Sequence, residues 1–134
     1  MINLDTNTAI AFVAEGSTIR YQLRAFVQNQ QLVMAQTAFD EFVNIIQYSG
    51  GALEQDRASR FLDRVMVVPD NPSSTAQTLQ PTRSLDPTDI IILGTGDQMG
   101  IVTMTADAKA VRAASAQGVD FNVYLHLSYP LTGS

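Results

Sequence analysis

Short apolar runs alternate with amphipathic stretches along the whole chain. Ile2-Asn3-Leu4 reads as a short strand ending in Asp5-Thr6-Asn7, and Ala9 to Val13 then continue as helix. From Ser17, the spacing of Ile19, Leu23 and Phe26, with Arg20 and Arg24 between them, predicts an amphipathic helix. Leu32 to Ala35 make a second strand. Thr37 then opens a helix whose Phe39, Phe42, Val43 and Ile46 fall at i, i+3, i+4 and i+7 and form its core face. The same helix holds Asp40 and Glu41, and a helical wheel places Glu41 with Ile45 and Tyr48, off the main apolar face, as an exposed acid. Ser49-Gly50-Gly51 is a break. Ala52 to Arg64 is amphipathic again, with Leu53, Ala58, Phe61 and Leu62 as candidate core and Glu54–Arg57 and Asp56–Arg60 at salt-bridging intervals. Val65 to Val68 predict a third strand, closed by Pro69-Asp70-Asn71-Pro72. The Ser/Thr/Gln/Pro-rich segment up to Ser84 holds a short helix between loops.

The remainder of the chain is organised around Asp89 to Asp107. Asp86 followed by Pro87 is a helix start, an N-cap side chain before a proline at the first helical position, and Gly100 is the stop. Ile101 to Thr105 is β-branched and apolar, a buried strand with Asp107 just past its carboxyl end. Ala108 to Gln117 is an alanine-rich helix ended by Gly118, and Phe121 to Leu127 is a last strand. Five strands alternating with helices predict an α/β fold with a parallel sheet and right-handed crossovers. In such sheets ligands bind outside the carboxyl ends of the strands, where 18 positions of chain bring Asp89 and Asp107. Each acid also has an ordinary structural use: Asp89 at the third helical position, and Asp5 and Asp107 as N-caps.

Length and composition narrow the function. The 134 residues suit one domain, 1–134, and no apolar run approaches the roughly 18 residues of a transmembrane helix. With no basic, apolar leader at the N-terminus, the expected location is the cytoplasm. Cysteine is absent, which excludes disulfides and thiolate metal sites. A net charge of −5 is wrong for a general nucleic-acid coat, although two divalent ions would bring the formal sum to −1. The one histidine, His126, lies in the last strand and reads as a packing or surface residue.

A glycine-rich dinucleotide loop is one alternative, with Ile90 to Leu93 as a strand before Gly94-Thr95-Gly96 and Gly100, and Asp120 as the ribose acid. The spacing is one residue longer than the fingerprint, and strand-like residues stand where its helix should begin.

The ordered set of Asp5-Thr6-Asn7 after a first strand, Glu41-Phe42 on a helix after the second, Asp89 before Ile90-Ile91-Ile92, Gly100, and Thr105-Ala106-Asp107 resembles the PIN-domain nucleases over nearly the whole chain. The resemblance implies a PIN-like three-layer α/β/α sandwich around a mainly parallel sheet of about five strands. It also implies a metal-dependent nuclease similar to the stand-alone ribonucleases of bacterial toxin–antitoxin pairs, with RNA as substrate, a protein antitoxin as partner, and a homodimer. The chain departs from the family pattern in two ways: glycines 94 and 96 stand where alanines are usual, which implies very close helix packing, and basic residues are few.

Physical chemistry runs the same way. Phosphodiester cleavage without cysteine or a usable histidine falls to water activated by Mg2+ or Mn2+, hard ions that take oxygen ligands. Asp5, Glu41, Asp89 and Asp107 are then the catalytic and metal-binding acids, Glu41 acting directly or through water. Asn7 and Thr105 would orient them by hydrogen bonds. Arg20, Arg24, Arg57, Arg60 and Arg64 are the candidate RNA contacts, unless they serve salt-bridged helix faces. Asp97 reads as a surface charge. A non-enzymatic alternative keeps the same fold as an interaction module.

Overall fold

A computed structural model of the chain describes residues Met1–Ser134. Five strands, β1 (Ile2–Leu4), β2 (Leu32–Ala35), β3 (Val65–Val68), β4 (Val102–Thr105) and β5 (Val123–Leu125), pair in parallel in the order β3-β2-β1-β4-β5. Between them run α1 (Thr6–Val13), α2 (Arg20–Val27), α3 (Gln36–Ser49), α4 (Ala52–Leu62), α5 (Ser74–Gln77), α6 (Pro87–Met99) and α7 (Ala108–Ala116). The chain winds outward from β1 through β2 to β3, then crosses back to β4 and winds outward again to β5. Right-handed crossovers therefore put α1–α4 on one face of the sheet and α5–α7 on the other. The apolar residues divide accordingly: a core of 17 buried residues drawn mainly from α1–α4 and the strands, and a second core of 9 among α5–α7 and their flanking loops. This is a three-layer α/β/α sandwich.

The winding reverses between β1 and β4, so their adjacent carboxyl ends form a switch point where a crevice opens. Register makes it tight. Leu4 stands opposite Met104, and the Asp5 N–H donates to the Met104 carbonyl at 3.0 Å. Asp5 is thereby fixed beside Thr105.

Helix α6 is seated unusually close to the sheet, and its glycines are the reason. A Cβ on Gly96 would lie 2.1 Å from Thr103 Oγ1, and one on Gly94 would lie 2.7 Å from the Ala76 Cβ and 2.8 Å from that of Pro72. Asn3 completes the seat by donating from Nδ2 to the Ile92 carbonyl and to Thr103 Oγ1, both at 3.1 Å. Residues 90–96 are therefore helical and packed against the sheet and α5. That corrects the dinucleotide alternative, which needs a strand and an open loop at those positions. Gly100 ends α6 in the left-handed region at φ 68.

Several element details also need correction. The fourth helix stops at Leu62, two residues before Arg64, and the last strand is only Val123–Leu125, because Phe121 turns into the second core. On α3 the buried stripe is Ala38, Phe42 and Ile46, whereas Val43 is exposed. On α4, Leu53 is 58% exposed and Glu54 is fully buried. Arg57 pairs with Glu15 at 2.9 Å and not with Glu54, while the Asp56–Arg60 pair does form, at 3.2 Å.

Glu54 is buried because its carboxylate collects backbone donors. The N–H groups of Glu15, Thr132 and Gly133 reach it at 2.9 Å and that of Gly51 at 3.3 Å, tying the C-terminal segment to the start of α4 and the end of α1. Burial alone would raise its pKa, but the N–H groups of Thr132, Glu15, Gly51 and Gly133 outweigh it and hold the carboxyl below its ordinary range. Its contribution is thus present at neutral pH and lost as pH falls through that depressed pKa. Glu54→Ala is expected to lower unfolding free energy by roughly 3–5 kcal/mol by orphaning these donors, against about 0.5 kcal/mol or less for Leu53→Ser. Denaturant titration of both variants checks the contrast.

Candidate metal centre

Five carboxylates meet where the sheet reverses its winding. Asp5 follows β1 in extended backbone and caps α1: its Oδ1 accepts from the Thr6 N–H at 2.7 Å and its Oδ2 from Thr105 Oγ1 at 2.6 Å. Thr105, the last residue of β4, in turn accepts from the Asp107 N–H at 3.0 Å through the same oxygen, so one hydroxyl orients two acids. Asp107 caps α7, with Oδ1 accepting from the Ala110 N–H at 3.0 Å. Asp86 and Asp89 form a reciprocal capping box at the start of α6, at 2.9 and 3.0 Å. Glu41, on the second turn of α3, accepts from Thr6 Oγ1 at 2.8 Å.

All five acids line one open cleft of about 470 Å³. Its only cations are Arg83 and Lys109, and its one hydrophobic wall residue is Ile45.

Electrostatics mark the same place. Burial pushes the Asp5 pKa up to about 6 against the hydrogen bonds from Thr105 and Thr6, and the charges of Asp107 and Glu41 push it further the same way. Burial pushes Asp89 up to about 7, opposed by the Asp86 N–H and assisted by the charges of Asp86, Asp107 and Asp5. Carboxylates from four separate chain segments are therefore coupled in one site.

The donor set is all oxygen, with no thiolate or imidazole in the cleft, which suits Mg2+ or Mn2+ and not a soft ion. No three of the Asp, Glu and His side chains stand close enough to hold a single ion as they are oriented here. Asp5, Asp86, Asp89 and Asp107 are each turned toward a helix start, and Glu41 toward the Thr6 hydroxyl. Glu41 Oε2, Asp89 Oδ1 and Asp107 Oδ2 accept no hydrogen bond and are not buried. The donor chemistry therefore fits a hard cation, whereas the spacing of the carboxylates does not yet form a closed ligand set.

The sequence left several parts of the cleft unnamed. Thr6, next to Asp5, takes the part expected of Asn7, which is exposed and makes no hydrogen bond to a carboxylate. Lys109 stands two residues beyond Asp107, a short spacing that was open to inspection. Arg83 lies in an aperiodic loop that carries no signal. Glu41 corrects its wheel position: it is half-buried and faces the cleft beside Ile45. The five expected RNA-contact residues, Arg20, Arg24, Arg57, Arg60 and Arg64, all lie outside the cleft. Arg20 donates to the carbonyls of Phe12 and Ala14, and Arg57 to that of Val13, so both close the end of α1. Asp97 is exposed and accepts from Ser73 Oγ at 2.6 Å. His126 is buried outside the cleft, with Nε2 2.7 Å from Thr8 Oγ1, and burial lowers its pKa.

This architecture recurs in solved structures. VapBC2 from Rickettsia felis, bound to a DNA fragment from their promoter, includes a chain 14% identical over 96% of this one and 100% of its own, with a TM-score of 0.62. FitAcB from Neisseria gonorrhoeae gives 15% identity, coverage of 92% and 96%, and a TM-score of 0.63. A domain of a functionally unknown protein from Methanocaldococcus jannaschii gives 14%, coverage of 96% and 91%, and 0.53. At these identities the likeness is one of fold, and the fold is PIN-like. From Ala11 to Ser134, a span that takes in Glu41, Asp89 and Asp107, the sequence also matches the model described as "Protein of unknown function (DUF1308)", and the chain belongs to that family.

Proposed function

We propose that this chain is a metal-dependent nuclease, and specifically an endoribonuclease of single-stranded RNA that works through Mg2+ or Mn2+ in the acid cleft. The observation that carries the proposal is the convergence of Asp5, Glu41, Asp89 and Asp107 on one crevice at the switch point, where burial and mutual repulsion raise the pKa of two of them. Asp5, Asp89 and Asp107 would hold the ion, with Glu41 reaching it directly or through water. Thr105 and Thr6 fix the carboxylates by hydrogen bonds, a positioning role. Arg83 and Lys109 face the same space and supply the positive charge that a scissile phosphate needs beside so many acids. When bound, the ion supplies a lowered pKa for water and neutralises phosphate charge.

RNA as substrate, an antitoxin as protein partner and self-association into a dimer rest on the PIN resemblance. The PIN-like toxin–antitoxin assemblies that share the fold support the antitoxin part. A second reading, an interaction module without catalysis, has one observation in its favour: Asp5, Asp89 and Asp107 each serve as helix caps, and no three acids meet closely. Cleavage assays separate the two.

Asp5→Asn and Asp107→Asn should each reduce Mg2+- or Mn2+-dependent cleavage of single-stranded RNA by at least about a hundredfold, with the circular dichroism spectrum retained. Wild-type rates in both variants would remove these residues from the chemistry. Lys109→Gln or Arg83→Gln should raise KM roughly tenfold, more than either lowers kcat. A pure kcat effect would mean that they do not grip the substrate in its ground state.

Melting curves test the electrostatics separately from catalysis. Asp5 and Asp89 hold protons in the folded protein to about pH 6 and 7, whereas the unfolded chain releases them near 3.8. In chelator their stabilisation is complete below about 3.8 and vanishes as pH rises through 6 to 7. Asp5→Asn should therefore melt no lower than wild type above about pH 7, and should lose most of the concentration-dependent rise that Mg2+ or Mn2+ gives. Equal metal shifts in the two proteins would mean that Asp5 is only a cap.

A further inference from the structure

Five of the eight cationic side chains, Arg20, Arg24, Arg57, Arg60 and Arg64, gather at the end of the sheet opposite the acid cleft. Arg64 immediately precedes β3, Arg24 lies on the last turn of α2 before β2, and Arg57 and Arg60 lie on the second half of α4. All of these sit at the amino ends of strands whose carboxyl ends point toward the acids. Helix α1 spans the gap: Thr6 lines the acid cleft, and Phe12 lies under the arginines after about 9 Å of helix rise.

Arg24, Arg57, Arg60 and Arg64 line an open groove of about 470 Å³, with the amides of Gln28 and Asn29 at its rim. Glu15 partly neutralises Arg57 and Asp56 partly neutralises Arg60, whereas Arg24 and Arg64 are exposed and have no carboxylate partner. Crowding of like charge shows in Arg20, whose pKa is lowered first by burial and then by the charges of Arg57 and Arg24. The apolar floor is mostly covered. Phe12 is 5% exposed and Leu32 3%, which leaves the half-buried Phe61 as the main apolar patch of a groove whose rim is guanidinium and amide. That surface suits phosphate, which guanidinium forks grip in bidentate fashion, better than the apolar stripe of an amphipathic peptide. Guanidinium planes also stack on unpaired bases.

We propose that this groove binds the phosphate backbone of a single-stranded nucleic acid at a site separate from the acid cleft. In a chain of net charge −5, it gathers Arg24, Arg57, Arg60 and Arg64 with no acid in its lining, a surface that attracts a polyanion without a metal ion. Cleavage plays no part in the binding, so loss of the nuclease proposal and loss of this one are distinct results.

The test is fluorescence anisotropy of a short labelled single-stranded RNA with full-length protein, in chelator, across a salt series. Wild type should bind with an affinity that falls steeply with salt. Arg24→Gln with Arg64→Gln should weaken binding about tenfold and flatten the log–log salt slope by roughly 1.4, at about 0.7 per lost phosphate contact. Arg24→Lys with Arg64→Lys should keep most of the slope, and a melting curve of each variant controls for folding.

Four results would overturn the proposal. The first is an unchanged slope in the glutamine pair. The second is an equal loss of binding from Arg83→Gln with Lys109→Gln, which would put the strand in the acid cleft. The third is displacement by inorganic phosphate alone at matched ionic strength, which would make this a free-anion site. The fourth is displacement by polyglutamate as effective as by unlabelled RNA, which would make the partner an acidic polypeptide.

Discussion

Parallel pairing of β1 with β4 is the contact on which the remaining arrangement depends. Two strands that are distant in sequence end side by side, and the N–H of Asp5 is tied to the Met104 carbonyl. The Thr105 hydroxyl then serves both Asp5 and Asp107. Without that register the two acids would belong to separate helix starts. With it they are neighbours, and burial at that corner pushes the Asp5 pKa up to about 6. Gly96 leaves the room beneath α6 that Asn3 of β1 and Thr103 of β4 occupy, and Gly94 leaves the room for Pro72 and Ala76.

The two ends of the sheet carry opposite charge for reasons rooted in helix geometry. Helices that follow strands begin at the carboxyl end of the sheet, and acids are the natural caps there, which is how Asp5, Asp86, Asp89 and Asp107 come to be neighbours. Arg20 and Arg57 reach the carbonyls at the far end of α1, and Arg24, Arg60 and Arg64 flank them. Capping thus supplies the raw material of a polarised molecule. What turns caps into a site is convergence on one cleft.

Elements with strong local signals were legible in the sequence: the Asp86-Pro87 start and Gly100 stop of α6, the apolar strands, and Asp5, Asp89 and Asp107 past strand or helix boundaries. Tertiary contacts were not. Glu54 looked like one half of a surface pair because i,i+3 spacing carries no information about a C-terminal segment 78 positions away that supplies backbone donors. Val43 and Leu53 match an apolar period, but their helices turn those positions to solvent. Glu41 needed the partner Thr6, 35 residues distant, to mark it as facing the cleft. The arginines were recognised as a group, but their separation from the acids follows from sheet direction, which only the topology reveals.

The central claim is that these acids, beyond capping helices, hold a divalent cation between them. Anomalous diffraction from crystals of the full chain grown with Mn2+ tests it most directly, because manganese is located independently of any assay of cleavage. An anomalous peak bounded by the carboxylates of Asp5, Asp89 and Asp107, with Glu41 rotated toward it, is the expected result. Saturating Mn2+ with no peak in the cleft, and the three aspartates still turned toward their caps, would contradict the claim.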